Sequence, residues 1–331
     1  MKLLNTLAAL ACATALAMPA VAADKVKIAM VVKSLGNGFF DAAHEGGKAA
    51  AKELGDVELI YTGPTAPTAE AQIEVVNSLI SQKVDALAIS ANDRDALVPI
   101  CKRAMQRGIK VISFDSGIAP AGRQMHLDPS NSALIGQKLV EMASDAAGGS
   151  GDIAILSATA QATNQNTWIA EMKKVLAKPE RAKLKLVATV YGDDQSDKSY
   201  REALGLLRSN PNLKVIVAPT TVGIVASAKA VADEKLIGKV YVTGLGLPSE
   251  MAGHVKSGAV KTFAIWNPID LGYAATELAY ALVKGTATGK EGEQIPAGRM
   301  GKITLGPNNE AAMAPPFTYD KSNVDQFAKI F

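Results

Sequence analysis

VKIAMVVKSLGNGFF, at residues 26–40, opens the regular structure of this chain. Its first seven residues are almost continuously apolar and rich in β-branched side chains, which predicts a strand buried on both faces. A loop with two glycines follows, and apolar residues then recur at helical spacing from Phe40 to Leu54, where Gly55 ends the pattern. The stretch therefore predicts a strand, a turn and a helix, the first unit of an α/β fold.

The same unit recurs along the chain. Nine short apolar runs predict strands, and the segments between them carry apolar residues at helical spacing. The runs are Val26–Val32, Val57–Tyr61, Ala86–Ser90, Val111–Phe114, Ile153–Leu156, Leu186–Val190, Val215–Val217, Val240–Val242 and Val260–Ile265. Strands that alternate with helices predict parallel sheets with right-handed crossovers, which is a doubly wound α/β fold.

Two sheets suit this chain better than one. Its 331 residues correspond to about two domains at roughly 150 residues each, and four to six strands are the usual size of a sheet. The stretch Asp128-Pro129-Ser130-Asn131 follows the fourth predicted strand and combines turn residues with helix-capping residues. We therefore place the break after Asp128 and expect two doubly wound parallel-sheet lobes.

The first 23 residues have the pattern of a targeting segment. Lys2 precedes an apolar stretch that ends in Ala20-Val21-Ala22, an A-x-A cleavage pattern. This predicts a signal peptide over residues 1–22, and the apolar stretch is shorter than the ~20 residues that a membrane-spanning helix needs. Its removal leaves Cys101 as the one cysteine, so no intrachain disulfide can form. A large exported protein without disulfides fits the bacterial periplasm.

Composition and missing motifs argue against several functions. The net charge is +3, so neither nucleic-acid binding nor adhesion to a membrane surface is expected. The motifs G-x-S-x-G and G-x-x-x-x-G-K-[ST] are absent, and the three histidines lack metal-ligand spacing. Asp193, Asp194 and Asp197 are interpreted as a turn and a helix cap rather than a calcium loop. We expect no enzyme, cofactor or metal, and an exported α/β enzyme remains the weaker alternative.

The residues directly after the predicted strands form the candidate site, because ligands of open α/β sheets bind beyond the carboxyl ends of strands. Asn, Asp, Lys and Thr side chains there can bond hydroxyl groups, and aromatic rings can pack on the apolar face of a sugar. Both residue types together predict a polyhydroxylated ligand. The candidate ligand-binding residues are Lys33, Phe39, Phe40, Asn92, Asp115, Asn164, Gln165, Asn166, Trp168, Pro219, Thr220, Leu247, Trp266 and Asn267.

Some of these residues have an equally simple structural interpretation. Lys33 could be a solvated surface lysine, and Asp115 could cap a turn or a helix. Trp168 and Trp266 could be core residues. Phe39 and Phe40 stand next to each other at a helix start, so we expect one to pack inward and one to face a cleft.

Several motifs in their order along the chain carry a family resemblance. They are Gly36-Asn37-Gly38-Phe39-Phe40, Phe114-Asp115-Ser116, the D-P-S-N-x-x-x-x-G pattern from Asp128 to Gly136, and the W-N-P-x-D-x-G pattern from Trp266 to Gly272. With the signal peptide, they resemble type I periplasmic sugar-binding proteins of bacterial ABC importers over the whole mature chain. Val32-Lys33, the segment from Asn164 to Trp168, and Ala218-Pro219 resemble most the branch that binds rhamnose or autoinducer-2.

The resemblance implies an architecture and a mechanism. Three hinge strands would join an N-terminal lobe, residues 23–128 plus 266–297, to a C-terminal lobe, residues 129–265 plus 298–331. The chain would cross at Trp266-Asn267 and again near Pro296–Arg299. The lobes would close on a sugar by hinge motion and deliver it to the membrane permease of an ABC importer, without chemistry on the ligand. We expect the protein to be a monomer.

The resemblance also narrows the ligand. The autoinducer-2 receptors carry Asp-Gln-Asn where this chain has Asn164-Gln165-Asn166, and the missing carboxylate removes a strong acceptor for clustered hydroxyls. This favours a deoxyhexose such as rhamnose and leaves autoinducer-2 as the alternative. The ribose-binding pattern has Asp-Arg in place of Asp115-Ser116, which argues against ribose. The methyl group of a 6-deoxy sugar would need an apolar wall, for which Leu247, Phe39 or Trp266 could serve.

Overall fold

The computed structural model describes residues 24–331, and the predicted signal peptide lies outside these residues. Two parallel sheets and two short antiparallel pairs are built from these strands. They are β1 (Val26–Val31), β2 (Val57–Thr62), β3 (Ala86–Ile89), β4 (Lys110–Phe114), β5 (Met125–Asp128), β6 (Gly151–Ser157), β7 (Leu184–Tyr191), β8 (Leu213–Ala218), β9 (Tyr241–Gly244), β10 (Phe263–Ile265), β11 (Gln294–Pro296), β12 (Lys302–Thr304), β13 (Glu310–Ala312) and β14 (Phe317–Tyr319).

Helices connect the strands and cover the faces of both sheets. They are α1 (Gly38–Leu54), α2 (Ala69–Ser81), α3 (Val98–Gln106), α4 (Ser132–Ala147), α5 (Thr163–Leu176), α6 (Ser196–Ser209), α7 (Thr221–Asp233), α8 (Pro248–Ser257), α9 (Pro268–Val283) and α10 (Val324–Phe327). Among the described residues, no helix combines the length and the apolar character needed to cross a membrane.

Each large sheet has a doubly wound strand order. The first sheet runs β13-β5-β4-β3-β1-β2 and the second runs β7-β6-β8-β9, and all neighbouring strands in both are parallel. The strand order reverses between β1 and β3 in the first sheet and between β6 and β8 in the second. The predicted α/β fold with two parallel-sheet lobes is confirmed, and a ligand is expected where these switch points face each other.

Helix α9 returns to the first lobe and packs against α1 at backbone contact. A Cβ added at Gly46 would lie 1.8 Å from the Ile269 carbonyl oxygen, and one added at Gly272 would lie 1.9 Å from the Ala43 carbonyl oxygen. Only glycine fits at either position, because the two backbones approach closer than any side chain allows. The crossing fixes α9 against the first lobe.

The chain passes between the lobes three times. After Asp128, α4 packs against α5 and the second sheet, and after Trp266, α9 packs against the first sheet. The third passage lies between Ala312 and Phe317, because β13 pairs with β5 of the first sheet and β14 pairs with β10 beside the second. It was expected near Pro296–Arg299, but there the chain turns back on itself.

The position of the third passage has a physical reason. Ile295 pairs with Ile303 in the hairpin of β11 and β12, and that hairpin packs against α9. Residues 298–312, which were expected in the C-terminal lobe, therefore stay with the first lobe. Three-residue strands are too short to show a period of two, so the sequence pattern did not reveal this hairpin.

Cys101 lies in α3 and is fully buried as a free thiol. Burial disfavours its thiolate and raises the pKa of the thiol to about 12. Cys101 is therefore a small, inert core residue.

Candidate functional site

A cavity opens between the two lobes, where the switch points of both sheets face each other. It encloses about 370 Å³ of empty space, part of it continuous with solvent. The lining residues come from both lobes: Lys33, Asn37, Phe39, Phe40, Asp115, Asn164, Gln165, Trp168, Asp194, Pro219, Thr220, Thr221, Leu245, Ile265 and Trp266.

Asp115 occupies the centre of this site, directly after β4. Its carboxylate accepts hydrogen bonds from Ser90 Oγ at 2.8 Å and from Asn164 Nδ2 at 3.0 Å. Burial raises the pKa of this carboxyl, and the positive charge of Lys33 partly opposes that shift. Its φ of 58° lies in the left-handed region, which Asp tolerates better than most residues. Asp115 is thus a hydrogen-bond acceptor fixed in place by Ser90 and Asn164, and not a turn cap.

Lys33 follows β1 and joins the two lobes. Its Nζ donates a hydrogen bond to Asn164 Oδ1 at 2.9 Å, and only 5% of the residue is exposed. Its charge favours the ionised form of both Asp115 and Asp194. The interpretation of Lys33 as a solvated surface lysine does not hold, since the ammonium group lies among the carboxylates of the cleft.

Asp194, whose sequence context predicts a turn and a helix cap, brings a second carboxyl to the cavity. The turn is real, because Asp193 and Asp194 have positive φ values of 54° and 50°. The side chain nevertheless reaches the cleft, where Thr220 Oγ1 donates a hydrogen bond to it. Dense surrounding protein raises the pKa of the carboxyl. The rule of polar residues after strands, applied to Leu186–Val190, could have found it.

Four aromatic rings form one side of the cavity. The centroids of Phe39 and Phe40 are 5.2 Å apart, those of Phe39 and Trp266 are 6.1 Å apart, and those of Trp168 and Trp266 are 5.5 Å apart. All three pairs meet edge to face, a favourable arrangement for aromatic rings. Each ring is at least nine-tenths buried. The core and ligand-facing interpretations therefore both apply, and both phenylalanines line the cavity rather than one.

Asn37 and Thr221 add a further polar contact across the cleft. Asn37 Oδ1 caps α1 by accepting from the Phe39 backbone N–H at 3.0 Å, and it also accepts from Thr221 Oγ1 at 3.3 Å. Leu245 and Ile265 add an apolar wall. None of these four residues was among the predicted ligand-binding residues, because a cap and an apolar strand end do not differ in pattern from ordinary structural positions.

Two predicted polar residues lie outside the cavity. Asn92 supports the loop after β1 from behind: its Nδ2 donates to the Lys33 carbonyl oxygen at 2.8 Å, and its backbone N–H donates to Gln72 Oε1 at 2.9 Å. Asn166 is exposed and donates to the Ala160 carbonyl oxygen at 2.8 Å. It lies two residues beyond Asn164 on α5, so the helical turn carries it away from the face that meets the cleft.

Two more predicted residues serve helix starts. Leu247 is buried directly before α8 and does not line the cavity, so Leu245 and Ile265 supply the apolar wall expected from Leu247. Asn267 caps α9, with its Oδ1 accepting from the Ile269 backbone N–H at 2.9 Å and its Nδ2 donating to Asp270 at 2.8 Å. Capping uses the side-chain groups that a ligand would need.

The cavity offers paired polar chemistry without a metal-binding pattern. In residues 24–331, no group of three His, Cys, Asp or Glu side chains is placed to hold a metal ion. The polar lining combines two carboxylates, one ammonium group and several amides and hydroxyls. Such a set satisfies a neutral ligand that presents many hydroxyl groups, each of which donates and accepts.

The family model described as "Periplasmic binding protein domain" matches residues 28–287. The chain belongs to the periplasmic binding protein family. Among solved structures, this binding protein resembles an ABC transporter solute-binding protein from Clostridium phytofermentas with bound L-rhamnose. The two are 39% identical, with a TM-score of 0.89, over 93% of this chain and 99% of that one.

Two further relatives show the breadth of the family. The D-ribose/D-allose-binding protein of Pseudomonas aeruginosa is 29% identical over 273 residues, 78% of this binding protein and 83% of the relative. LsrB from Clostridium saccharobutylicum, in complex with AI-2, superposes with a TM-score of 0.87 over 91% and 99% of the two chains. Its identity is only 20%, so that likeness concerns the fold. The relatives bind different ligands, and none is described as an enzyme.

Proposed function

We propose that the protein captures a monosaccharide, L-rhamnose, in the cleft between its lobes. One observation carries this proposal: the cavity that joins Asp115, Lys33 and Asn164 to an aromatic wall lies in a chain 39% identical, over nearly its whole length, to a protein with bound L-rhamnose. Both lobes contribute to the cavity, so a bound ligand would hold them together.

The polar residues suit the hydroxyl groups of a pyranose. Asp115 and Asp194 accept hydrogen bonds from hydroxyls, while Lys33 and the amides of Asn164 and Gln165 donate to sugar oxygens. Charged partners make these bonds shorter and stronger than neutral ones. In this structure the same groups bond one another across the cleft, so all of them lie within reach of one ligand.

The apolar residues suit a 6-deoxy sugar. Leu245 and Ile265 complete the wall formed by the aromatic rings, and a methyl group gains by leaving water for such a surface. A 6-hydroxyl group at the same place would lose its hydrogen bonds to water, which carries a cost in an apolar pocket. This contrast favours rhamnose over an ordinary hexose.

We also propose a wider role, which membership of the periplasmic binding protein family supports. The mature protein acts in the periplasm after cleavage of the signal peptide over residues 1–22, and it works as a monomer. Its lobes close on the sugar about the three connecting segments, and the closed form delivers the sugar to the membrane permease of an ABC importer. The protein performs no chemistry on its ligand.

Isothermal titration of the mature chain with L-rhamnose tests the proposal. We expect saturable binding at one site. The free energy of unfolding should rise by about 2.7 kcal/mol when the sugar is at ~100 times its Kd. D-ribose, D-allose, L-mannose and autoinducer-2 complete the panel, and L-mannose differs from L-rhamnose by the 6-hydroxyl group alone. Product analysis after incubation should recover the sugar unchanged.

The panel separates the competing functions. Tighter binding of autoinducer-2 than of L-rhamnose would replace the ligand and keep the importer role. Preference for D-ribose or D-allose would align the protein with its Pseudomonas aeruginosa relative. If the protein binds no sugar in the panel, the proposal is contradicted. If it converts any of these sugars into a product, an enzyme is favoured.

A further inference from the structure

The first turn of α1 meets the first turn of α8 across the cleft, at Gly38. A Cβ added there would lie 2.8 Å from Glu250 Oε1 and 3.1 Å from Leu247 Cδ1. Ordinary contacts of a Cβ atom are longer than either distance, so the surface of α8 fills the space that a side chain would occupy. Next to this contact, Thr221 of the second lobe bonds Asn37 of the first at 3.3 Å.

The contact depends on how the lobes stand relative to each other. Helix α1 packs against β2 and α9 of the first lobe, while α8 packs against α7 and α10 of the second. Both groups that crowd Gly38 therefore come from the opposite lobe. A side chain at position 38 would meet nothing of this pair once the lobes part.

The backbone does not require glycine at this position. Gly38 does not belong to the residues with positive φ, and it begins a helix, where most residues are more favourable than glycine. Gly38 also does not line the cavity, although its neighbours Asn37 and Phe39 do. Neither helix formation nor ligand contact explains the missing side chain, whereas the approach of α8 does.

We infer that Gly38 is a positioning residue for ligand capture: its missing side chain lets the lobes approach closely enough to enclose the sugar. The inference rests on the proposed function. Substitution at this position lowers ligand affinity by opposing closure, because a closed state that is harder to reach reduces the apparent affinity for a ligand that selects it.

The test compares L-rhamnose binding by the wild-type mature chain, Gly38→Ala and Gly38→Leu. We expect Gly38→Leu to raise Kd at least about tenfold, the equivalent of about 1.4 kcal/mol, because overpacking at a filled contact is unfavourable. Gly38→Ala should have a smaller effect, since the ends of the Glu250 and Leu247 side chains can move. Gly205→Leu is the matched control, for an added Cβ at Gly205 in α6 meets no atom within 4 Å.

Two more measurements separate closure from folding. Small-angle scattering at saturating L-rhamnose should give Gly38→Leu a larger radius of gyration than the wild type, while its Tm without sugar stays within about a degree or rises. An unchanged Kd in Gly38→Leu would overturn the inference. A fall in the sugar-free Tm would also overturn it, because the residue would then act within its own lobe. If the wild type itself binds no sugar of the panel, the proposed function is contradicted, and this inference, which rests on it, is contradicted as well.

Discussion

Asp115 stands in two unfavourable conditions at once. Its φ of 58° is uncommon for a residue with a side chain, and its burial disfavours the charge that a sugar hydroxyl would need as an acceptor. Strain of this kind concentrates at binding sites and is held in place by the surrounding structure. Ser90 and Asn164 provide that support through their hydrogen bonds.

Replacement of Asp115 by Asn should separate binding from stability. The amide keeps the shape and tolerates positive φ but carries no charge, so L-rhamnose binding should weaken about 10- to 150-fold through loss of charge-assisted bonds worth ~1.5–3 kcal/mol. Without sugar, Asp115→Asn should unfold at a higher temperature than the wild type at neutral pH, because the amide carries no charge to bury. Titration calorimetry and thermal melts measure the two effects.

The stability advantage of Asp115→Asn over the wild type should depend on pH in one direction. A pKa raised above the ordinary value of 3.8 means that the folded state prefers the protonated carboxyl. That contribution to stability is complete below pH 3.8 and is lost as the pH rises through the folded pKa. The advantage of Asp115→Asn should therefore shrink as the pH falls toward 3.8. A constant advantage would contradict a buried, titrating Asp115, and exposed Asp145→Asn is the control.

Asp115→Ala extends the comparison at the same residue. Alanine also removes the acceptor, so binding should be lost to a similar extent. Alanine at a φ of 58° should lower the free energy of unfolding by about 1–2 kcal/mol relative to Asp or Asn, whose polar side chains tolerate this region. Without sugar, the Ala variant should therefore have a lower Tm than the Asn variant. Retained folding in both variants would assign Asp115 to the ligand, whereas global unfolding would assign it to the structure.

At the scale of elements, the crossing of α1 and α9 makes the sharpest demand on the sequence. Gly46→Ala would drive a Cβ to 1.8 Å from the Ile269 carbonyl oxygen, so the helices must separate. We expect a loss of about 1–3 kcal/mol and a Tm lower by several degrees, at roughly 2–4 °C per kcal/mol. Gly205→Ala, with open space around it, should not lower the Tm. Equal melts for the two variants would contradict the backbone contact.

The elements also show what pattern can and cannot predict. All nine apolar runs became strands, because strands buried on both faces need continuous β-branched stretches. Strand β5 escaped detection, since it has only four residues and two of them, His126 and Asp128, are polar. These side chains bond each other at 3.0 Å, and His126 also bonds Ser113 at 2.9 Å. Tertiary partners of this kind are invisible in a local pattern.

For the whole molecule, Asn164 is the polar residue that most directly ties one lobe to the other. It accepts from Lys33 Nζ at 2.9 Å and donates to Asp115 at 3.0 Å, both in the first lobe. Asn164→Ala should raise the Kd for L-rhamnose at least about tenfold, because it removes bonds that favour closure and leaves two buried charged groups with fewer partners.

Asn166→Ala provides the contrast on the same helix. Asn166 is exposed and its side chain donates to the Ala160 carbonyl oxygen, away from the cleft, so loss of this side chain should leave Kd unchanged. Emission from Trp168 and Trp266 can report both titrations, since the chain has two tryptophans and both line the cavity. Equal affinities for the two variants would show that the contacts between lobes do not govern capture.

How far the sequence predicts the site depends on whether a residue's role is local. Lys33, Asp115 and Asn164 were found because polar side chains after buried strands stand out against an apolar pattern. Leu247 and Asn267 were assigned to the ligand because a strand end and a helix start coincide there, and only packing decides between them. Asp194 was missed for the opposite reason, since its turn explained the local pattern completely.

The buried thiol of Cys101 makes this protein convenient to label. With a pKa of about 12 and no exposed surface, it stays unreactive toward maleimides in the folded mature chain. Cysteines introduced on the outer faces of the two lobes would then be the sites that take up a dye, with no need to replace the native residue. A pair of fluorophores attached in this way would turn the opening and closing of the cleft into an optical signal, from one molecule at a time.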